Sequence, residues 1–104
     1  MTHEIARKIG LIIIAISADY GLETEAFGLD DHFDSGIGMD GCDLAELIHR
    51  CEEQFGVLIP DDAVELSSRL NDLVKIIADL IVEKEAREKY RNAAAKAWID
   101  FPED

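Results

Sequence analysis

Between Leu70 and Phe101 the chain has neither glycine nor proline, and apolar residues recur there at helical spacing. Leu70, Leu73, Val74, Ile77, Leu80 and Ile81 fall on one face of a 3.6-residue period, and Ala86, Tyr90, Ala94, Ala97 and Trp98 extend it. No strand or loop assignment accommodates that run. The pattern predicts a helix of unusual length, or one broken once near Glu83 to Glu88. The fold around it must therefore be helical, and the rest of the chain agrees.

A first helix is predicted from about His3 to Tyr20, stopped by Gly21, with Ile5, Ile9, Ile12 and Ile16 as its core stripe. Leu11 and Ile14 fall on its far side and call for a covering element or a second copy of the chain. Residues 22 to 39 show no sustained period and contain Gly28, Gly36 and Gly38, which reads as a long loop pinned by Phe27, Leu29, Phe33 and Ile37. A second helix opens at Gly41 behind Asp40 as N-cap, with Asp43 completing an acidic capping box, and Gly56 ends it. Its buried stripe is Leu44, Leu47, Ile48, Cys51 and Phe55, while Asp43, Glu46, Arg50 and Glu53 face outward. Pro60 holds Val57 to Ile59 extended. A brief third helix is expected over Asp61 to Leu66, with Ser67 or Ser68 capping the long fourth one.

The chain has 104 residues, enough for one core. Its formal net charge is −13, and residues 19 to 65 hold fourteen of the twenty-three acidic residues but only Arg50 among the ten Lys and Arg. Such a surface repels nucleic acid and anionic membrane and attracts the basic surface of a protein partner. No apolar stretch reaches the roughly 20 residues of a membrane span, and a cytoplasmic protein is expected. Cys42 and Cys51 lie nine apart, about 13.5 Å along a helix axis, too far for a disulfide, so both read as reduced thiols.

The stretch from His32 to Ile81 resembles the acyl carrier proteins. Members of that family read His-Phe, then Leu-Gly-x-Asp-Ser-Leu-Asp, then an acidic helix and Glu-Glu-x-Phe-Gly-Ile-x-Ile-Pro-Asp. This chain reads His32-Phe33, Ile37-Gly38-Met39-Asp40-Gly41-Cys42-Asp43, Glu46-Leu47, and Glu52-Glu53-Gln54-Phe55-Gly56-Val57-Leu58-Ile59-Pro60-Asp61. The resemblance implies an all-α, acyl-carrier-protein-like four-helix bundle, with three main helices and the short third one, over residues 1–81. Residues 82–104 are then a helical extension packing on or beside the bundle, where Tyr90, Trp98 and Phe101 could fold back over Leu11 and Ile14 or grip a partner.

The family's serine at the head of the acidic helix bears 4′-phosphopantetheine, and Gly41 stands at that position, with no oxygen for a phosphodiester. No cofactor is expected unless another residue takes the arm. Ser35 follows Asp34 and mimics part of an Asp-Ser motif, but it lies six residues upstream in the loop. Cys42 lies near a helix N-terminus, where a thiol pKa is lowered, and a structural cysteine is the preferred reading. The resemblance further implies docking of acyl-carrier-handling enzymes on this helix. Its acids persist as Asp40, Asp43, Glu46, Glu52 and Glu53, and its apolar contacts have become Cys42, Ala45 and His49. The implied setting is fatty acid, lipid or polyketide metabolism. The implied state is a monomer, or a weak dimer through the C-terminal helix.

No catalytic constellation is legible, and an enzyme is not expected. His3, His32 and His49 do not form a zinc spacing, and no metal site is expected. Asp30, Asp31 and Asp34, or Glu46 and Glu53, could attract calcium or magnesium weakly, but a solvated acidic face accounts for them.

Overall fold

The computed structural model describes residues 1–20 and 27–100, with side chains except those of Tyr20 and residues 94–100. Three helices follow one another: α1 (Thr2–Tyr20), α2 (Gly41–Phe55) and α3 (Leu70–Asp100). Of the two readings of the last helix, the unbroken one holds. α3 is one element of 31 residues, about 46 Å long at 1.5 Å per residue.

α1 packs against both α2 and α3. Its buried stripe is Ile5, Ile9, Ile13 and Ile16. Ile12, placed in the stripe by sequence, is only partly buried, and Ile13 takes its place. Spacings of four and three both suit a helix, and four consecutive isoleucine-rich positions leave the choice to packing. Leu11 and Ile14 are each 57% exposed, so among the described residues nothing covers that side of α1. α2 contributes Leu44, Leu47 and Cys51, with Ile48 and Phe55 partly buried beside them. α3 contributes Leu70, Leu73, Val74, Ile77 and Ala78. At roughly 1.5–3 kcal/mol for each fully buried large apolar side chain, this shared core is what holds the three helices together.

Burial along α3 fades after Ile81, and residues 85 to 93 are all exposed, Tyr90 by 78%. The expected packing of the extension against the bundle is therefore absent over those nine residues. The fold-back of Trp98 and Phe101 lies outside the described side chains.

The two connections brace each other. Phe33 N–H donates to Ser68 O and Asp34 N–H to Leu66 O, while Leu70 N–H donates to Asp31 O and Asn71 N–H to Leu29 O. His32 and Arg69 form an antiparallel bridge at the centre of this pairing. The His32 ring reinforces it, its Nδ1 lying 2.6 Å from Ser67 O and its Nε2 3.4 Å from Arg69 Nε. Those partners are both satisfied when Nδ1–H donates to the carbonyl and Nε2 accepts from the guanidinium. The long loop is pinned by Phe33, Ile37 and Met39, all buried, with Phe27 partly so. Leu29, expected as an anchor, is 45% exposed; its tie to α3 is through the backbone, its carbonyl accepting from Asn71 N–H.

Residues 61 to 66 form turns and irregular backbone, without the expected third helix. Ala63 N–H donates to Pro60 O and Ser68 N–H to Glu65 O, each closing a single turn. Two hydroxyls that sequence offers as caps are used otherwise: Ser68 Oγ accepts from Glu65 N–H at 3.0 Å, and Ser67 Oγ donates to Glu65 Oε2 at 3.5 Å. α3 instead starts with Arg69 N–H donating to Asp72 Oδ2 at 2.9 Å, the reciprocal half of a capping box.

Candidate functional site

The surface that the sequence singles out lies on α2 and the turn facing it. Asp40 caps α2 in extended conformation, its carboxylate accepting from Asp43 N–H at 2.8 Å while Asp40 N–H donates to Asp43 Oδ2 at 3.1 Å. Both halves of the expected capping box are thus formed. The backbone bond from Asp43 holds the Asp40 carboxyl below the usual carboxylate range, since a donated hydrogen bond favours the charged form.

Gly41 is the first residue of α2. It is exposed, and a Cβ built there would meet no atom within 4 Å. Its φ lies outside the left-handed region, so neither space nor backbone demands glycine at this position. The contrast is Gly56 at the other end of the helix. It has φ 64°, closes α2 through its N–H to Glu52 O, and a Cβ there would lie 2.9 Å from Lys84 Nζ.

Cys42, Ala45, His49 and Glu53 are exposed, and Asp43, Glu46 and Glu52 are partly so. The acids of this face are engaged within the chain. Glu46 accepts from Arg50 Nε at 2.8 Å, Glu52 accepts from Ile59 N–H at 2.9 Å, and Glu53 lies 2.9 Å from His49 Nε2. Arg50 also reaches Asp19 at 3.0 Å, tying α2 to the end of α1. The carboxylates of Glu46 and Asp19 raise the Arg50 pKa above its already high ordinary value. Sequence reasoning placed these acids correctly on the outer face but missed how many are held in place. The only legible signal was the Glu46–Arg50 and His49–Glu53 spacing of four.

Between α2 and residues 60–64 runs a groove of about 330 Å³, bordered by Gly41, Leu44, Ala45, Ile48 and Val64. Leu44 and Ile48 border this groove, whereas Leu47 and Ile59 are buried in the core. Ser35 sits apart in the loop, exposed, with its N–H donating to Asp34 Oδ1.

The two thiols differ in setting. Cys42 is exposed, and Cys51 is buried with its pKa pushed up to about 12 by desolvation and secondarily by the nearby Glu52 charge. Among the described residues no cluster of three or more His, Cys, Asp or Glu is placed to hold a metal ion, and no helix is long and apolar enough to cross a membrane.

Residues 11–77 match the family model described as "Phosphopantetheine attachment site". The chain is also 33% identical over 82 residues to the acyl carrier protein of Cyanidium caldarium, an alignment covering 79% of this chain and 92% of that relative. Acyl carrier proteins are carriers and not enzymes, in keeping with the lack of a catalytic constellation in the sequence. With its motif spacing, its helical core and its capped acidic helix, the chain belongs to the phosphopantetheine-attachment family of acyl carrier proteins.

Proposed function

We propose that this family member does not bear 4′-phosphopantetheine at the usual position and works as a protein-interaction module linked to fatty acid, lipid or polyketide metabolism. The observation that carries this reading is Gly41, which opens α2 at the position that the resemblance assigns to the attachment serine and has no hydroxyl to bond phosphorus. The residues present do not fit the prosthetic group there. The partner is the basic surface of a protein that handles acyl carriers. It meets Asp40, Asp43, Glu46 and Glu53, with Cys42, Ala45 and His49 as small contacts and Glu52 at the margin. Because Glu46, Glu52 and Glu53 already have partners within the chain, docking exchanges existing bonds for new ones and is weaker than the charge alone suggests. The protein acts in the cytoplasm.

A second reading has support of its own. The space around Gly41 is open, so an ordinary carrier whose serine has been replaced would keep this backbone, and Ser35 is exposed in the loop six residues upstream. Incubation with coenzyme A and a phosphopantetheinyl transferase, followed by intact-mass spectrometry, separates the non-carrying reading from attachment at Ser35; the gene sequence in the source organism separates it from a replaced serine. The mass is expected to stay unchanged. A gain of one phosphopantetheine, mapped by peptide digestion to Ser35 or elsewhere, would reject the non-carrying assignment.

A further inference from the structure

The middle of α3 carries charge of the opposite sign to the rest of the molecule. Residues 84 to 96 hold five of the ten Lys and Arg, against two acids, Glu85 and Glu88, in a chain of net charge −13. Lys84, Arg87 and Arg91 follow at spacings of three and four, which puts them on one side of the helix over about 10.5 Å. That side faces residues 56–58, and between them lies a groove of about 420 Å³. Leu80 and Leu58 line it, and Leu58 is 84% exposed, the most exposed of the large hydrophobic side chains among the described residues.

Two of the three cations are free to act outward. Lys84 is anchored, donating to Gly56 O at 2.9 Å and so bracing the wall of the groove. Arg87 and Arg91 are exposed, and neither has a hydrogen bond or ion pair among the described residues. Residues 85 to 93 gain no tertiary cover from the described residues, although long helices draw most of their stability from packing one face.

We propose that this groove is a second docking surface, which takes an acidic amphipathic helical segment of another protein. Two carboxylates about a turn apart would meet Arg87 and Arg91, and an apolar side chain between them would cover Leu58. Glu88, in the same lining, repels a carboxylate set opposite it and so fixes the register of the acids on either side. The whole-chain charge of −13 opposes approach to an extended anionic membrane or a polyanion, and leaves a short acidic segment as the anion that the groove can admit. This surface is independent of residue 41, and it gives the molecule two faces of opposite sign.

The test uses the full chain and a fluorescein-labelled helical peptide of leucine and glutamate, with glutamates one turn apart, read by fluorescence anisotropy. A glutamine analogue of the peptide and phosphatidylserine vesicles serve as comparison ligands. The glutamate peptide is expected to bind, with affinity falling about tenfold or more between low and high salt. Arg87→Gln with Arg91→Gln should weaken it by about tenfold, and Leu58→Ser several-fold. All these side chains are wholly or partly exposed, and circular dichroism verifies that each variant folds. Equal binding by the double arginine variant, or no binding of the peptide at millimolar concentration, overturns the proposal. Arginine-dependent capture of the vesicles in place of the peptide overturns it in favour of a membrane. A salt-sensitive dimer in sedimentation, lost in the arginine variant, overturns it in favour of a second copy of the chain.

Discussion

Replacing Gly41 with serine is expected to stabilise the protein slightly, which is an unusual outcome for a substitution at a helix end. The new Cβ meets nothing within 4 Å, and the Asp40–Asp43 capping box does not involve the Gly41 side. What remains is the unfolded chain: a residue with a side chain has fewer conformations to lose than glycine, worth about 0.4–1 kcal/mol where the native backbone permits it. The same preference is seen in helix propensities, so the two figures are not summed. A gain of about 0.5 kcal/mol corresponds to roughly 2–4 °C in Tm for a domain of this size. Gly56→Ser is the internal control. Its φ of 64° lies in the left-handed region, and the added atom would sit 2.9 Å from Lys84 Nζ. A loss of about 1–2 kcal/mol is expected there. Thermal and urea unfolding followed by far-UV circular dichroism measure both. A loss above about 1 kcal/mol for Gly41→Ser, or shifts of the same sign at the two glycines, would refute the claim that backbone geometry demands glycine only at residue 56. The functional limb is separate: with coenzyme A and transferase, Gly41→Ser should gain one phosphopantetheine, as the reading of residue 41 as the vacant attachment position requires.

Further outcomes follow from burial. In the native protein one thiol, Cys42, should react promptly with a disulfide reagent and Cys51 only on unfolding; two fast thiols would contradict the packing of α2. Because burial raises the Cys51 pKa from 9.0 to about 12, the unfolded chain releases that proton first. Stability should therefore be intact below pH 9 and fall as pH rises towards 12, a decline that Cys51→Ala removes in alkaline unfolding curves. Leu47→Ala, at a fully buried position, should cost about 2–5 kcal/mol in urea unfolding. A loss below about 1 kcal/mol would show that α2 does not share the core. Leu11→Lys with Ile14→Lys should change stability by no more than about 0.5 kcal/mol each. A larger drop would mean that another part of the chain or a second copy covers that face of α1.

Local patterns in the chain settled most of what concerns α2: Asp40 and Asp43 three residues apart make the capping box, Gly56 stops the helix, and Leu44, Leu47 and Cys51 fall inward. The reason is that caps and amphipathic periods depend on residues within a turn or two of one another. Tertiary structure decided the rest. Asp61 to Leu66 lacks the apolar face and length that would hold a helix, and Leu66 O, like Ser68 O just beyond it, instead accepts from the loop, from Asp34 and Phe33 N–H respectively, a pairing between segments more than thirty residues apart that no local pattern announces. The choice of Ile13 over Ile12, the exposure of Leu29 and the departure of α3 from the core after Ile81 likewise depend on where a neighbouring helix lies. The identity of residue 41 needed only the sequence, because lacking an oxygen is a property of the residue itself; that its surroundings would admit a larger side chain is a matter of empty space, visible only once the chain is folded.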